Sequence, residues 1–143
     1  MSRKEAFIQL KYDSKTAAMN RVRILVVEDD LDIRFLIQST LSCDPSLEVI
    51  GGTTTAIGAV ALALEGAPAL VILDHQIEGQ IMGLQAAPII KAVVPGTRII
   101  LFTSENLADE VSREPAIDIY LPKTDLQELL PTARRLLQLE QLV

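Results

Sequence analysis

Five short apolar runs, mostly rich in β-branched residues, recur along this chain with helix-length segments between them. Arg23 to Val27, Leu47 to Ile50, Ala69 to Leu73, Arg98 to Phe102 and Ile117 to Leu121 read as strands. Sustained polar alternation is missing, as it is in strands covered on both faces. Strand-then-helix order repeated along the chain predicts an α/β domain with one parallel sheet and helices on both sides.

The intervening segments carry helix signals of their own. Asp30 stands where an N-cap belongs, and after it Ile33, Leu36, Ile37 and Leu41 are spaced for one apolar face that Asp44-Pro45 terminates. Gly51-Gly52 predicts a turn after the second strand, with a helix over Thr53 to Leu64. A long loop then leads to Met82-Gly83 and a helix to about Val93, closed by Pro95-Gly96, and a short polar helix around Asp109 to Arg113 ends at Glu114-Pro115. The last helix is expected from Thr124-Asp125, where Thr124/Gln127 and Asp125/Glu128 have capping-box spacing. It would bury Leu126, Leu129, Leu130, Ala133, Leu136 and Leu137. Pro131 removes one of its hydrogen bonds, which predicts a kink or a later true start.

Size and composition narrow the class. A chain of 143 residues suits one domain. Residues 1–20, with only Phe7, Leu10 and Tyr12 in a weak helical pattern, read as an N-terminal extension, partly helical or disordered, and 21–143 as the folded unit. The nearly continuous apolar stretch from Ala56 to Leu73 invites a membrane reading, but Glu65-Gly66-Ala67-Pro68 divides it into a helix and a strand. A single Cys43, read as a packing residue, excludes an internal disulfide, and no secretory signal opens the chain; both suit a reducing cytoplasm. A net charge of −6 argues against a nucleic-acid surface. The chain stops about one helix after Lys123, which leaves no room for an output domain.

The chemistry sits where the apolar runs end. Glu28-Asp29-Asp30 follow the first strand, Asp74 the third, Thr103-Ser104 the fourth and Lys123 the fifth. In a parallel sheet these groups emerge at one carboxyl edge, where open α/β sheets bind ligands. Glu28, Asp29 and Asp74 brought together repel one another unless a cation intervenes, and hard oxygen donors suit Mg²⁺. With the cation present, ionised Asp74 can act as a nucleophile toward phosphorus. Thr103 then supplies a hydroxyl donor and Lys123 a fixed positive charge for phosphoryl oxygens. Asp30, Asp32 and Asp125 are read as caps or turn residues, and His75, with no second His or Cys, as a loop or packing residue.

In these segments, Arg23-Ile-Leu-Val-Val-Glu-Asp-Asp30, Leu70-Val-Ile-Leu-Asp74, Leu101-Phe-Thr-Ser104 and Tyr120-Leu-Pro-Lys123, the chain resembles the receiver domain of two-component response regulators over about Arg23 to Leu137. The resemblance implies a flavodoxin-like doubly wound sheet of strand order 2-1-3-4-5. It implies a signalling switch rather than an enzyme, in which Asp74 takes phosphate from phosphohistidine on a histidine kinase or a histidine phosphotransfer protein. Asp29, Asp74 and the Gln76 backbone carbonyl would ligate Mg²⁺, with Glu28 acting largely through water. Thr103 and Tyr120 would move as the switch, and Lys123 would pair with the phosphoryl group.

The chain departs from the family pattern at Glu78, where Pro is common, at Gly83, which belongs to a longer loop, and between Thr103 and Lys123, which is about two residues short and predicts a short fourth helix. A phosphorylation-independent scaffold is the alternative. A flavodoxin-like enzyme ranks last, because three acids stand where an anion cradle would be needed. The resemblance points to no membrane and no direct nucleic-acid partner, and it leaves oligomeric state, target and pathway open.

Overall fold

The structure, a computed structural model, describes residues 2–6 and 20–138. The N-terminal extension read from the sequence lies mostly outside the described residues. Five parallel strands form one sheet in the order β2-β1-β3-β4-β5. They are β1 (Val22–Val27), β2 (Leu47–Thr53), β3 (Leu70–Leu73), β4 (Arg98–Thr103) and β5 (Ile119–Pro122). The helices are α1 (Leu31–Leu41), α2 (Ala56–Gly66), α3 (Gly83–Val93), α4 (Ala108–Ser112) and α5 (Leu129–Leu136). This is the doubly wound arrangement expected from the strand–helix alternation.

The buried stretches of the central strands are apolar because each face meets a helix layer. On one side Leu25, Val27, Val71, Leu73, Ile99 and Leu101 pack against Ala56, Ala59 and Ala63 of α2 and Ala86, Ala87 and Ile90 of α3. On the other, Ile24, Val26, Ile72, Ile100 and Phe102 pack against Ile37 and Leu41 of α1 and Leu129 and Ala133 of α5. Small residues let α2 and α3 lie close to the sheet. Each large side chain fully buried here contributes about 1.5–3 kcal/mol, so truncating Leu73 or Phe102 to alanine removes a contribution of that order or more.

Several element boundaries differ from the sequence reading, each for a local reason. Gly51-Gly52 form no turn. They pair with Leu25 and Val26 inside β2, and a Cβ on Gly52 would lie 2.8 Å from Arg34 Cδ, so glycine lets an α1 side chain lie on the edge strand. α2 therefore starts later, after Thr55, whose hydroxyl accepts the Gly58 N–H at 2.9 Å. Asp30 caps α1 as expected, accepting the Asp32 and Ile33 N–H groups, but Leu36 is exposed on the flank of the buried Ile37–Leu41 stripe.

The last helix does not begin at Thr124-Asp125. Lys123–Glu128 form a 3₁₀ segment with a non-helical Asp125 and no capping side chain, and α5 starts at Leu129. Pro131 is then the third helical residue, where its missing N–H costs nothing. α4 is short, with five residues. Among the described residues, no helix is long and apolar enough to cross a membrane.

Candidate functional site

Parallel strands bring the carboxyl ends of β1, β3, β4 and β5 to one edge, and backbone hydrogen bonds set the depth of each acid there. The Glu28 N–H donates to Thr53 O at 3.0 Å and the Asp74 N–H donates to Val27 O at 3.0 Å, which continues the ladder one residue past each strand. Thr103 is the last residue of β4, and Lys123 follows β5. Glu28, Asp29, Asp74, Gln76, Thr103, Ser104 and Lys123 line one cleft of about 180 Å³. The site residues read from the strand ends thus share one cavity, while Tyr120 lies outside its lining.

Glu28, Asp74 and Thr103 are buried and Asp29 is exposed, so the acids are graded from interior to mouth. Lys123 Nζ donates to Asp74 Oδ2 at 2.7 Å and to Glu28 Oε1 at 3.0 Å, with Glu28 Oε2 also 3.0 Å away. Burial pushes the Glu28 carboxyl up to about 7, against the hydrogen bond from Lys123 and with the Asp74 charge adding to the rise. Burial acts to lower the Lys123 ammonium, but its hydrogen bonds to Asp74 and Glu28 outweigh that and raise it. Lys123 therefore stays charged.

One ammonium cannot satisfy this set. Asp74 Oδ1 is buried and accepts no hydrogen bond, and Glu28 Oε2 has only the ammonium it shares with Glu28 Oε1 and Asp74 Oδ2. Carboxylate oxygens from Glu28, Asp29 and Asp74 lie within 4.8 Å of one another. Hard oxygen donors in excess negative charge, with unpartnered lone pairs, fit a divalent cation such as Mg²⁺.

Two polar neighbours of the cleft were not singled out as site residues from the sequence. Glu105 is a node beside the cleft: its N–H donates to Thr103 Oγ1 at 3.4 Å, and its carbonyl accepts the Tyr120 hydroxyl at 2.5 Å. Its carboxylate accepts a hydrogen bond from the Gln76 side chain and lies 3.7 Å from His75 Nε2. A polar residue two past Thr103 was the only local signal. His75 is the second. Its Nδ1 accepts the Leu84 N–H at 3.2 Å, so a neutral ring carries its proton on Nε2, facing Glu105. The ring thereby caps α3, whose own Met82 cap offers no side-chain bond.

Comparison with known proteins points the same way. A family model described as the response regulator receiver domain matches residues 24–134. Response regulator protein VraR of Staphylococcus aureus is 31% identical over 105 residues, which cover 72% of this chain and 50% of the relative. The chain thus spans about half the length of that relative. Among solved structures, the signal receiver domain of an HD domain-containing protein from Pseudomonas fluorescens is similar at a TM-score of 0.74 and 28% identity, over 86% of this chain and 99% of that one. A LuxR-family two-component response regulator from an Aurantimonas species gives a TM-score of 0.75 at 25% identity, over 82% of this chain and 86% of that one. By sequence, fold and the acids gathered at its strand edge, the chain belongs to the response regulator receiver family of two-component signalling.

Proposed function

We propose that the domain takes a phosphoryl group from phosphohistidine onto Asp74 in a Mg²⁺-dependent reaction, and that the phosphorylated form binds a partner differently. The donor is a histidine kinase or a histidine phosphotransfer protein. The observation that carries this reading is Asp74 itself, buried, hydrogen-bonded through one oxygen to Lys123 and left with the other oxygen unpartnered in an acidic cleft.

The roles follow from the chemistry. A carboxylate oxygen of Asp74 forms the new bond to phosphorus as the bond from phosphorus to the donor imidazole nitrogen breaks, and that nitrogen keeps the electron pair and takes a proton. Asp29 and Asp74, with the Gln76 carbonyl, would hold Mg²⁺, and Glu28 would act through water; the bound ion offsets the charge that would otherwise repel an incoming phosphoryl group. Lys123, already paired with the carboxylates, is in reach to turn its ammonium to phosphoryl oxygens. Thr103 would leave the Glu105 amide to donate to the same oxygens, and Tyr120 would answer through its bond to the Glu105 carbonyl. The phosphate ends on the protein's own side chain, so the domain acts as a switch.

Intact-mass measurement after incubation with acetyl phosphate tests the reading. A single base-labile phosphate that requires Mg²⁺ and vanishes in Asp74→Asn is the expected result. Folded wild-type protein that takes no phosphate from acetyl phosphate or from a phosphohistidine donor would remove the reading and leave the scaffold.

A further inference from the structure

We propose that the apolar groove between α2 and α3 docks an amphipathic helix of a partner, with aliphatic anchors along one face and basic residues at the end that meets Glu78, and that phosphorylation of Asp74 changes its affinity. The second half rests on the phosphoacceptor reading above.

The groove is apolar and open. Ile57 is 79% exposed, Leu64 61%, Ile89 41% and Ile81 37%, and together they line a cavity of about 350 Å³ that continues past Ile57 and Ile81 into another of about 470 Å³. The exposed side of α2 carries Ile57, Ala61 and Leu64 with no charge before Glu65, where a solvated helix would present polar residues. Among the described residues, no large apolar side chain is exposed on α4, β5 or α5. Ile57 and Leu64 are two turns apart, about 10 Å along the axis, which matches anchors spaced i, i+4, i+7 on a docked helix.

Charge selects among apolar partners. Glu78 is exposed and borders the groove at the end near the phosphoacceptor edge, whereas the other end, formed by Leu64, is apolar. A helix docked here is favoured by basic residues at the end that meets Glu78, and the chain's net charge of −6 acts in the same direction.

One wall of the groove is the loop that leaves Asp74. Gly83, the first residue of α3, donates its N–H to His75 O at 2.9 Å, and a Cβ there would lie 2.0 Å from Asp74 O. Nothing soft lies between the phosphoacceptor backbone and the start of α3. A shift at Asp74 is therefore passed to α3 and to Ile81, two residues earlier.

Fluorescence anisotropy of the full chain with a labelled peptide helix, leucines at i, i+4 and i+7 and lysines at both ends so that either orientation meets Glu78, tests this. The lysine-ended peptide should bind about tenfold more tightly than the same peptide ended with glutamates. Ile57→Asp and, separately, Leu64→Asp should each weaken it about tenfold, and Phe35→Asp on α1 should leave it unchanged. Acetyl phosphate with Mg²⁺, the adduct verified by mass, should shift affinity about threefold or more. Loss on Phe35→Asp alone, no charge preference, or Ile57→Asp acting only by dissociating a self-associated dimer in sedimentation would each overturn the groove. An adduct with unchanged affinity would overturn the coupling while the phosphoacceptor reading stands. Groove binding by a chain that takes no phosphate would do the reverse.

Discussion

The sheet carries a carboxylate–ammonium cluster at each end of its strands, and the two are built on opposite principles. At the amino end Asp118 is saturated: Oδ2 accepts from Lys91 at 2.9 Å and from the Ile99 N–H at 2.8 Å, and Oδ1 accepts from Arg98 at 3.3 Å. Burial acts to raise the Asp118 carboxyl, but these partners outweigh it and hold it below its ordinary value. At the carboxyl end one Lys123 serves two buried acids, Asp74 Oδ1 goes unpartnered, and Glu28 is pushed up to about 7. A saturated cluster fastens α3, β4 and β5 together, whereas an undersupplied one costs stability and leaves lone pairs open to a cation.

The largest test removes the saturated acid. Asp118→Ala should lower unfolding stability by about 3 kcal/mol in urea denaturation, because Lys91 and the Ile99 N–H lose their partner. A loss below about 1 kcal/mol would erase the contrast. Next, Mg²⁺ at about a hundred times its dissociation constant should stabilise the domain by about 2.7 kcal/mol, and Asp29→Ala should abolish most of that shift in a thermal melt.

The two clusters should also respond oppositely to pH. Asp118, lowered from 3.8, contributes stability that is present above that value and lost as pH falls below it. Glu28, raised from 4.5 to about 7, keeps in the folded state a proton that the unfolded chain has released, so stability in chelator should fall as pH rises through that window. Glu28→Gln should flatten this slope and, at pH above about 7, raise stability in chelator by about 1 kcal/mol, measured by the same denaturation. The smallest effect belongs to Tyr120→Phe, which removes one hydrogen bond to the Glu105 carbonyl and should cost about 1 kcal/mol or less while leaving phosphate uptake by mass intact.

The strand-edge site could be read from the sequence because each of its groups follows directly on a buried apolar run. Glu28, Asp74, Thr103 and Lys123 announce themselves by position, since a parallel sheet collects strand ends. Glu105 and His75 do not, because their roles arise from contacts that join separate loops: Glu105 meets Gln76 from 29 residues away and Tyr120 from 15. Gly51-Gly52 misled for a related reason. A local turn signal was overridden by pairing with β1 and by the Arg34 side chain packed over the strand. The capping-box spacings at Thr124 and Asp125 failed because the chain after Lys123 first makes a 3₁₀ segment and enters α5 only at Leu129.

The loop that leaves Asp74 is pinned at its far side as well as at α3. The Glu78 N–H donates to Thr54 O at 2.8 Å, and Glu78 and Thr55 form an isolated parallel bridge. A single amide with an exposed side chain is thereby given a strand-like hydrogen bond, so its exchange with solvent deuterium should be slow while that of Gly79 is fast. The exchange rate of that one proton then clocks how often the loop beside Asp74 opens.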